Sequence, residues 1–361
     1  MRHWIVPGIL LVAACSGGGD SYRLGAAGPW TERYGAMNRR GIELAVEHIN
    51  RKGGVRGRKL EVVMRDDEGS GEKAAGIAAE FVRDESIVAV VGHVNSGAMV
   101  AAAKVYDRNL PAVSTTASSP DLTGISPWVF RVISSDSTNG QDLARFSGSI
   151  GHRRAAILYE NNPYGRGLTL SFQRNFAGEV ISADPIGESG TQDFEPFVAF
   201  FKRVRPDVVF VAGTEQSGLA LLREARRQGL TSDFMGGDGW TGVVMDTAIS
   251  EGAYVGAPFS AADPRTEAQE FVAAFRAKYG MTPDGNAALG YDATMLLAAA
   301  LAARGADRAG VRAWLSTLTP QTAHRGVTGP IRFGSDGDPI GKGFVMTQLQ
   351  GGTLVVRGNG S

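Results

Sequence analysis

The feature that most constrains this chain is an alternation: short β-branched runs recur between longer segments of helical period. Residues 60–64, 87–91, 155–159 and 208–212 read as strands. Between them, Ile42, Ala45, Val46 and Ile49 before Gly53 mark one apolar helical face. Ile77, Ala78 and Phe81 mark a second, and Phe194, Phe197, Val198 and Phe201 a third, behind a candidate cap at Asp193. Such a βαβ rhythm predicts a parallel, doubly wound sheet covered by helices. It runs twice, with similar motif order through residues 155–229, so the economical reading is two similar α/β lobes. The 361 residues suffice for two domains, each with its own core. After Pro264 come two helical stretches, 266–279 and 286–304, then strand-like tails at 330–333 and 343–356. No low-complexity linker separates the halves, as expected if several short crossings join them.

The N-terminus predicts export. Arg2 and His3 precede an apolar stretch over residues 4–13, about half the roughly 20 residues that a membrane-spanning helix needs. It ends in Val12-Ala13-Ala14-Cys15, which resembles a bacterial lipobox, with Cys15 as the lipidated residue. Cys15 is the sole cysteine, so no intrachain disulfide is possible. Ser16-Gly17-Gly18-Gly19-Asp20 reads as a flexible tether. The folded body is therefore expected in the periplasm or at the cell surface, held to the membrane by lipid and removed from cytoplasmic ATP and NAD. The charge is balanced, 37 Lys+Arg against 37 Asp+Glu, and offers no net field for a nucleic acid.

Catalytic signatures are missing from the sequence. The five histidines are scattered without metal-ligand spacing, no serine sits in a G-x-S-x-G elbow, and no P-loop is present. No enzyme activity, cofactor or metal is expected. Residues 237–242 match G-x-G-x-x-G literally, but Asp238 between the first two glycines would set a carboxylate against a pyrophosphate. The segment is better read as a loop at the carboxyl end of the strand at Phe234-Met235, carrying one acid into a crevice.

Two further turns attract attention. His93-Val94-Asn95-Ser96-Gly97-Ala98 joins the strand at 87–91 to an alanine-rich helix, where free backbone N–H groups and the Ser96 hydroxyl can hold a carboxylate. Ser96 or Asn95 also qualifies as a plain helix cap. The next strand leads into Thr115-Thr116-Ala117-Ser118-Ser119, a hydroxyl-rich stretch that can satisfy its own backbone or face the same crevice.

The run from Gly41 to Asn50 (GIELAVEHIN), the segment from Gly53 to Leu60 (GGVRGRKL) and Asp66-Asp67 resemble the leucine/isoleucine/valine-binding family of type I periplasmic solute-binding proteins. Val90-Val91-Gly92, Ser119-Pro120-Asp121-Leu122-Thr123, Tyr164-Gly165-Arg166-Gly167, Arg205-Pro206-Asp207 and Phe234-Met235-Gly236 extend the resemblance along the chain after the tether. It implies two lobes joined by three crossings with a ligand between them: residues 22–135 with 262–325, and residues 136–261 with 326–361, after a signal at 1–14 and a tether at 15–21. It also implies that Ser96, Gly97, Ala117 and Ser118 grip a ligand carboxylate and offer a carbonyl to its ammonium. Asp238 would take that ammonium, where relatives commonly use Glu. Tyr34, Tyr164 and Tyr291 would line the cleft, with Thr214 near another lining position. Gly69 and Asn95 stand where disulfide-bearing members carry cysteines, and Ser118 stands where Thr is frequent. The implied function is a monomeric, lipid-anchored binding protein that captures an amino acid, closes by hinge motion and serves an ABC importer. The alternatives are a binder of amides, urea or aromatic acids, or an interaction module such as a cell-wall synthase activator.

Overall fold

Continuous apolar runs form the middle of each sheet, because a parallel strand with helices on both faces has no side left for water. Ile87–Gly92 and Val208–Ala212 are buried at every position. The computed structural model describes residues 21–187 and 193–359. The signal, lipobox and most of the tether lie outside the described residues.

The first sheet is built from β1 (Ser21–Gly28), β2 (Lys59–Asp66), β3 (Ile87–Gly92), β4 (Ala112–Ser114) and β5 (Val129–Arg131). Helices α1 (Arg33–Arg51), α2 (Gly71–Arg83) and α3 (Ser96–Tyr106) connect the first four strands. The chain then passes into α4 (Asp136–Ser149), β6 (Arg154–Glu160), α5 (Pro163–Asn175), β7 (Glu179–Ile186), α6 (Glu195–Val204), β8 (Val208–Ala212), α7 (Glu215–Gln228) and β9 (Asp233–Gly236). A 3-10 segment (Asp238–Met245), the single turn α8 (Thr247–Ser250) and β10 (Tyr254–Ala257) follow. Helices α9 (Thr266–Tyr279), α10 (Gly285–Arg304) and α11 (Arg308–Ser316) come next, then the ribbon β11 (His324–Gly326) and β12 (Gly329–Ile331) and the hairpin β13 (Val345–Gln350) and β14 (Thr353–Asn359).

Strand order in the first sheet is β2-β1-β3-β4-β5, all parallel. In the second it is β14-β13-β10-β9-β8-β6-β7, parallel from β7 to β10 and antiparallel through β13 and β14. The run β7-β6-β8-β9-β10 repeats the order of the first sheet with every number raised by five. Two doubly wound α/β units therefore stand in series, each with its reversal of strand order beside its first strand, β1 or β6.

Sequence patterning locates most elements but misplaces some edges. β1 is not visible as a periodic run because its polar start (Ser21, Arg23) and small residues (Gly25, Ala26, Ala27) dilute the β-branched signal. It also takes in Ser21, which the tether reading had included. Residues 326–333 were expected in the second lobe, yet Ile331 and Phe333 pack in the first lobe's core with Phe130, Leu289 and Ala293. The return crossing comes later, because buried Arg131 holds Asp338 against β5 through Nε at 2.6 Å and Nη2 at 2.7 Å. Residues 132–134, 258–260 and 341–343 converge on a small cavity of about 150 Å³, where the three crossings run side by side.

Helix α10 is apolar nearly all round because it is a core helix. Its seam with α1 is backbone-close: a Cβ on Gly41 would lie 2.0 Å from the Ala287 carbonyl oxygen, and one on Gly290 would lie 2.4 Å from that of Asn38. Only glycine admits that approach.

Candidate functional site

In an open parallel sheet, the loops on either side of the strand-order reversal diverge and leave a crevice at the carboxyl ends of the strands. Here there are two such crevices, and they face each other across one cavity of about 340 Å³. From the first lobe, Tyr34 follows β1, Gly69–Gly71 follow β2, Val94–Gly97 follow β3 and Thr116 follows β4. From the second, Glu160, Asn162, Pro163 and Tyr164 follow β6, Thr214 follows β8, and Asp238 with Gly239 follows β9. Asn286, in the first turn of α10, completes the lining.

The first-lobe wall is organised by Ser96. Its Oγ accepts from the backbone N–H of Ser118 at 3.2 Å and of Ser119 at 3.1 Å, tying the turn after β4 to the start of α3. The N–H groups of the first helical turn, at Ser96 and Gly97, have no carbonyl behind them within the helix and give this end partial positive charge. Asn95 is the N-cap residue but makes no side-chain cap; its Nδ2 donates instead to the Tyr34 hydroxyl at 3.0 Å. The same side chain faces Gly69, where an added Cβ would sit 3.6 Å from Asn95 Cγ, so the two positions read as a missing disulfide are neighbours in space. His93 is structural: its Nδ1 meets Asp67 Oδ2 at 2.6 Å and its Nε2 meets the Tyr106 hydroxyl at 3.0 Å, all inside the core.

The second-lobe wall centres on acids. Tyr164, one residue inside α5, donates its hydroxyl proton to Asp238 Oδ1 at 3.0 Å and accepts from the Gly239 N–H at 3.2 Å. Burial pushes the Asp238 carboxyl up to about 6. Asp136, fully buried nearby, is raised first by burial and then by the charge of Asp238; its Oδ2 has no hydrogen-bond partner. Glu160 is also raised by burial, against the hydrogen bonds that hold its charge. Its Oε1 accepts from Thr214 N–H at 2.8 Å, Thr214 Oγ1 at 2.7 Å and Ser217 Oγ at 2.8 Å, fastening β6 to the start of α7. Among the described residues no lysine, arginine or histidine lines this cavity.

The lobes touch around the cavity. Arg33 Nη1 donates to Glu215 Oε2 at 2.9 Å and lies 3.8 Å from Asp284, while Gln216 donates to Glu32 beside it. Asn286 Nδ2 reaches Thr241 Oγ1 at 3.3 Å.

Of the residues singled out from sequence, the cavity brings together Tyr34, Ser96, Gly97, Tyr164, Thr214 and Asp238. It does not include Ala117, Ser118 or Tyr291. Ala117 is a fully buried core residue of the first lobe, and Ser118 turns its amide to Ser96; the preceding Thr116 faces the cavity instead. Tyr291 is carried away from the cleft by the tight α1–α10 seam and packs outside it, its hydroxyl 2.9 Å from His48 Nδ1 and its ring 4.9 Å from Phe271. Five residues earlier in the same helix, Asn286 takes the cleft position.

Glu160, Asn162 and Asn286 escaped the sequence reading, and Asn95 was singled out there only as a helix cap and a former disulfide position. Glu160 carried a usable signal, since it ends β6, the strand beside which the order reverses, and Asn162 follows it as the N-cap of α5.

A family model described as periplasmic binding protein matches residues 22–353. The leucine-, isoleucine-, valine-, threonine-, and alanine-binding protein of Pseudomonas aeruginosa is 30% identical over 341 residues, covering 90% of this chain and 89% of that protein. A substrate-binding protein of an ABC transporter from Desulfitobacterium hafniense, solved with Leu, superposes with a TM-score of 0.81 at 33% identity, over 93% of this chain and 99% of that one. The branched-chain amino acid transporter substrate-binding protein LivJ of Streptococcus pneumoniae, solved with isoleucine, gives 0.87 at 25% identity over 94% and 99%. With a family model spanning nearly the whole described chain and two facing switch-point crevices to match, this chain belongs to the leucine/isoleucine/valine-binding family of type I periplasmic binding proteins, the substrate-binding components of ABC transporters.

Proposed function

We propose that this protein captures a free α-amino acid between its lobes, outside the cytoplasmic membrane, and delivers it to the permease of an ABC importer while held to the membrane through lipid on Cys15. The observation that carries the reading is the opposition of charge types across one cavity. The Ser96 and Gly97 end of α3 offers N–H donors from one lobe, and Asp238, oriented by Tyr164, offers a carboxylate from the other.

A zwitterion fits both. Its carboxylate takes the helix N-terminus, and its ammonium supplies Asp238 with the partner that a desolvated charge requires. An aromatic or aliphatic acid without an ammonium would leave Asp238 unpaired and bring a second negative charge near it. Because the two halves of the guest are held by different lobes, only the closed arrangement makes both contacts, and binding shifts the hinge equilibrium by that differential affinity.

Thermal melting against α-amino acids, amides and acids such as benzoate tests this. A specific amino acid at 100 times its Kd stabilises by about 2.7 kcal/mol. Asp238→Asn is expected to lower its affinity at least tenfold. Equal stabilisation by acids lacking an ammonium would overturn the reading. So would no shift with any small molecule, which would favour an interaction module.

A further inference from the structure

We infer that the amino acid bound here carries a side chain ending in N–H donors (an amide, ammonium or guanidinium) and not an aliphatic one, with Glu160 as the residue that selects it. The inference rests on the amino-acid reading above and concerns the part of the cavity left once the two ends of the zwitterion are placed.

With the α-carboxylate at Ser96 and Gly97 and the α-ammonium at Asp238, the remaining wall mixes apolar surface, from Val94, Pro163 and the Tyr34 ring, with a set of polar side chains. Those are chiefly Glu160, Asn162, Thr214, Asn95 and Asn286. An aliphatic side chain pressed on such a wall would strip these groups of water and return no hydrogen bond. Two acceptors among them have unused capacity. Glu160 Oε1 is fully engaged by three protein donors, but Oε2 has only the Asn162 amide at 3.3 Å. Asn95 Oδ1 has no partner at all, although the atom is buried. The Thr214 hydroxyl spends its proton on Glu160.

Among the described residues no cation lines the cavity to balance Glu160. The nearest interlobe arginine, Arg33, is committed to Glu215 and Asp284. A guest side chain bearing N–H groups supplies what this wall lacks, and an anionic side chain is excluded by the same surplus.

The test is calorimetric titration of the purified protein with L-leucine, L-isoleucine, L-glutamine, L-lysine and L-arginine. At least one of the last three is expected to bind tenfold or more tightly than leucine, and Glu160→Gln to weaken that ligand at least tenfold more than it weakens leucine. If Glu160→Gln fails to fold, the wild-type ranking decides alone. Leucine or isoleucine as the tightest ligand, with binding still lost in Asp238→Asn, would overturn the side-chain assignment and leave the amino-acid reading standing. An equal loss for leucine and the polar ligands in Glu160→Gln would also overturn it, by reducing Glu160 to a structural tie between β6 and α7. Failure of every amino acid to bind would overturn both.

Discussion

Asp238 concentrates the chemistry at the scale of single residues. Its carboxyl is raised by burial, so the folded protein without ligand binds a proton more readily there than the unfolded chain does. The stability this adds is fully present below the unfolded carboxyl value, about 3.9, and is lost as pH rises through about 6. Ligand affinity runs the opposite way, since an ammonium prefers the ionised carboxylate. For wild type, affinity is therefore expected to fall as pH drops from 7 to 5, with proton release on binding near pH 6. In Asp238→Asn the affinity should be low and flat over that range. Titration calorimetry in buffers of different ionisation enthalpy measures the release, and a pH-independent wild-type affinity would contradict the assignment.

At the scale of elements, the acid is placed by packing. After β9 the chain turns into the 3-10 segment around Trp240, which is fully buried. The ring lies so close to two neighbours that a Cβ on Gly236 would fall 2.2 Å from it and one on Gly218 would fall 2.6 Å away. The glycines of the G-x-G-x-x-G spelling are crowded by other groups: a Cβ on Gly237 would fall 2.8 Å from the Leu168 side chain, one on Gly239 2.5 Å from the Gly213 carbonyl oxygen, and one on Gly242 would meet the Glu215 carboxylate. Gly236→Ala is expected to destabilise by about 1–3 kcal/mol through overpacking, and to weaken ligand binding more than a comparable lesion far from the cleft because Asp238 moves with the ring. Urea melts and calorimetry on the same variant check both; unchanged stability would show that the ring is free to move. Glu160 acts similarly at the second sheet's switch point, where the hydrogen bonds it accepts from Thr214 and Ser217 hold strand β6 and helix α7 in one unit.

At the scale of the whole molecule, three neighbouring crossings constrain the lobes to hinge, and the cavity is shared between them. Arg33 with Glu215, and Gln216 with Glu32, contact across the gap beside it. The Gln216–Glu32 contact is exposed, whereas the carboxylate that Arg33 meets, Glu215, is buried. In the proposed function, lipid on Cys15 keeps the body near the permease. Cys15→Ser is expected to move the mature protein from the membrane fraction to the soluble extracytoplasmic fraction without altering ligand affinity. Immunoblotting of fractions checks it, and unchanged membrane association would refute anchoring through that residue.

The amino-acid sequence by itself determined the repeated α/β architecture, because strands buried on both faces must be continuously apolar and their covering helices must show an apolar stripe. It also pointed to Ser96, Gly97 and Asp238, which stand in turns after strands, where a crevice can use them; Tyr34, Tyr164 and Thr214 came only through the resemblance to the family. Only the tertiary structure decided that Thr116 and not Ala117 or Ser118 faces the cleft, that Asn286 takes the place expected of Tyr291, and that Glu160 lines the same cavity as Tyr34. Periodicity reports which face of an element is buried. It cannot report what a segment more than a hundred residues away presents to that face, and a site shared by two lobes consists of such meetings.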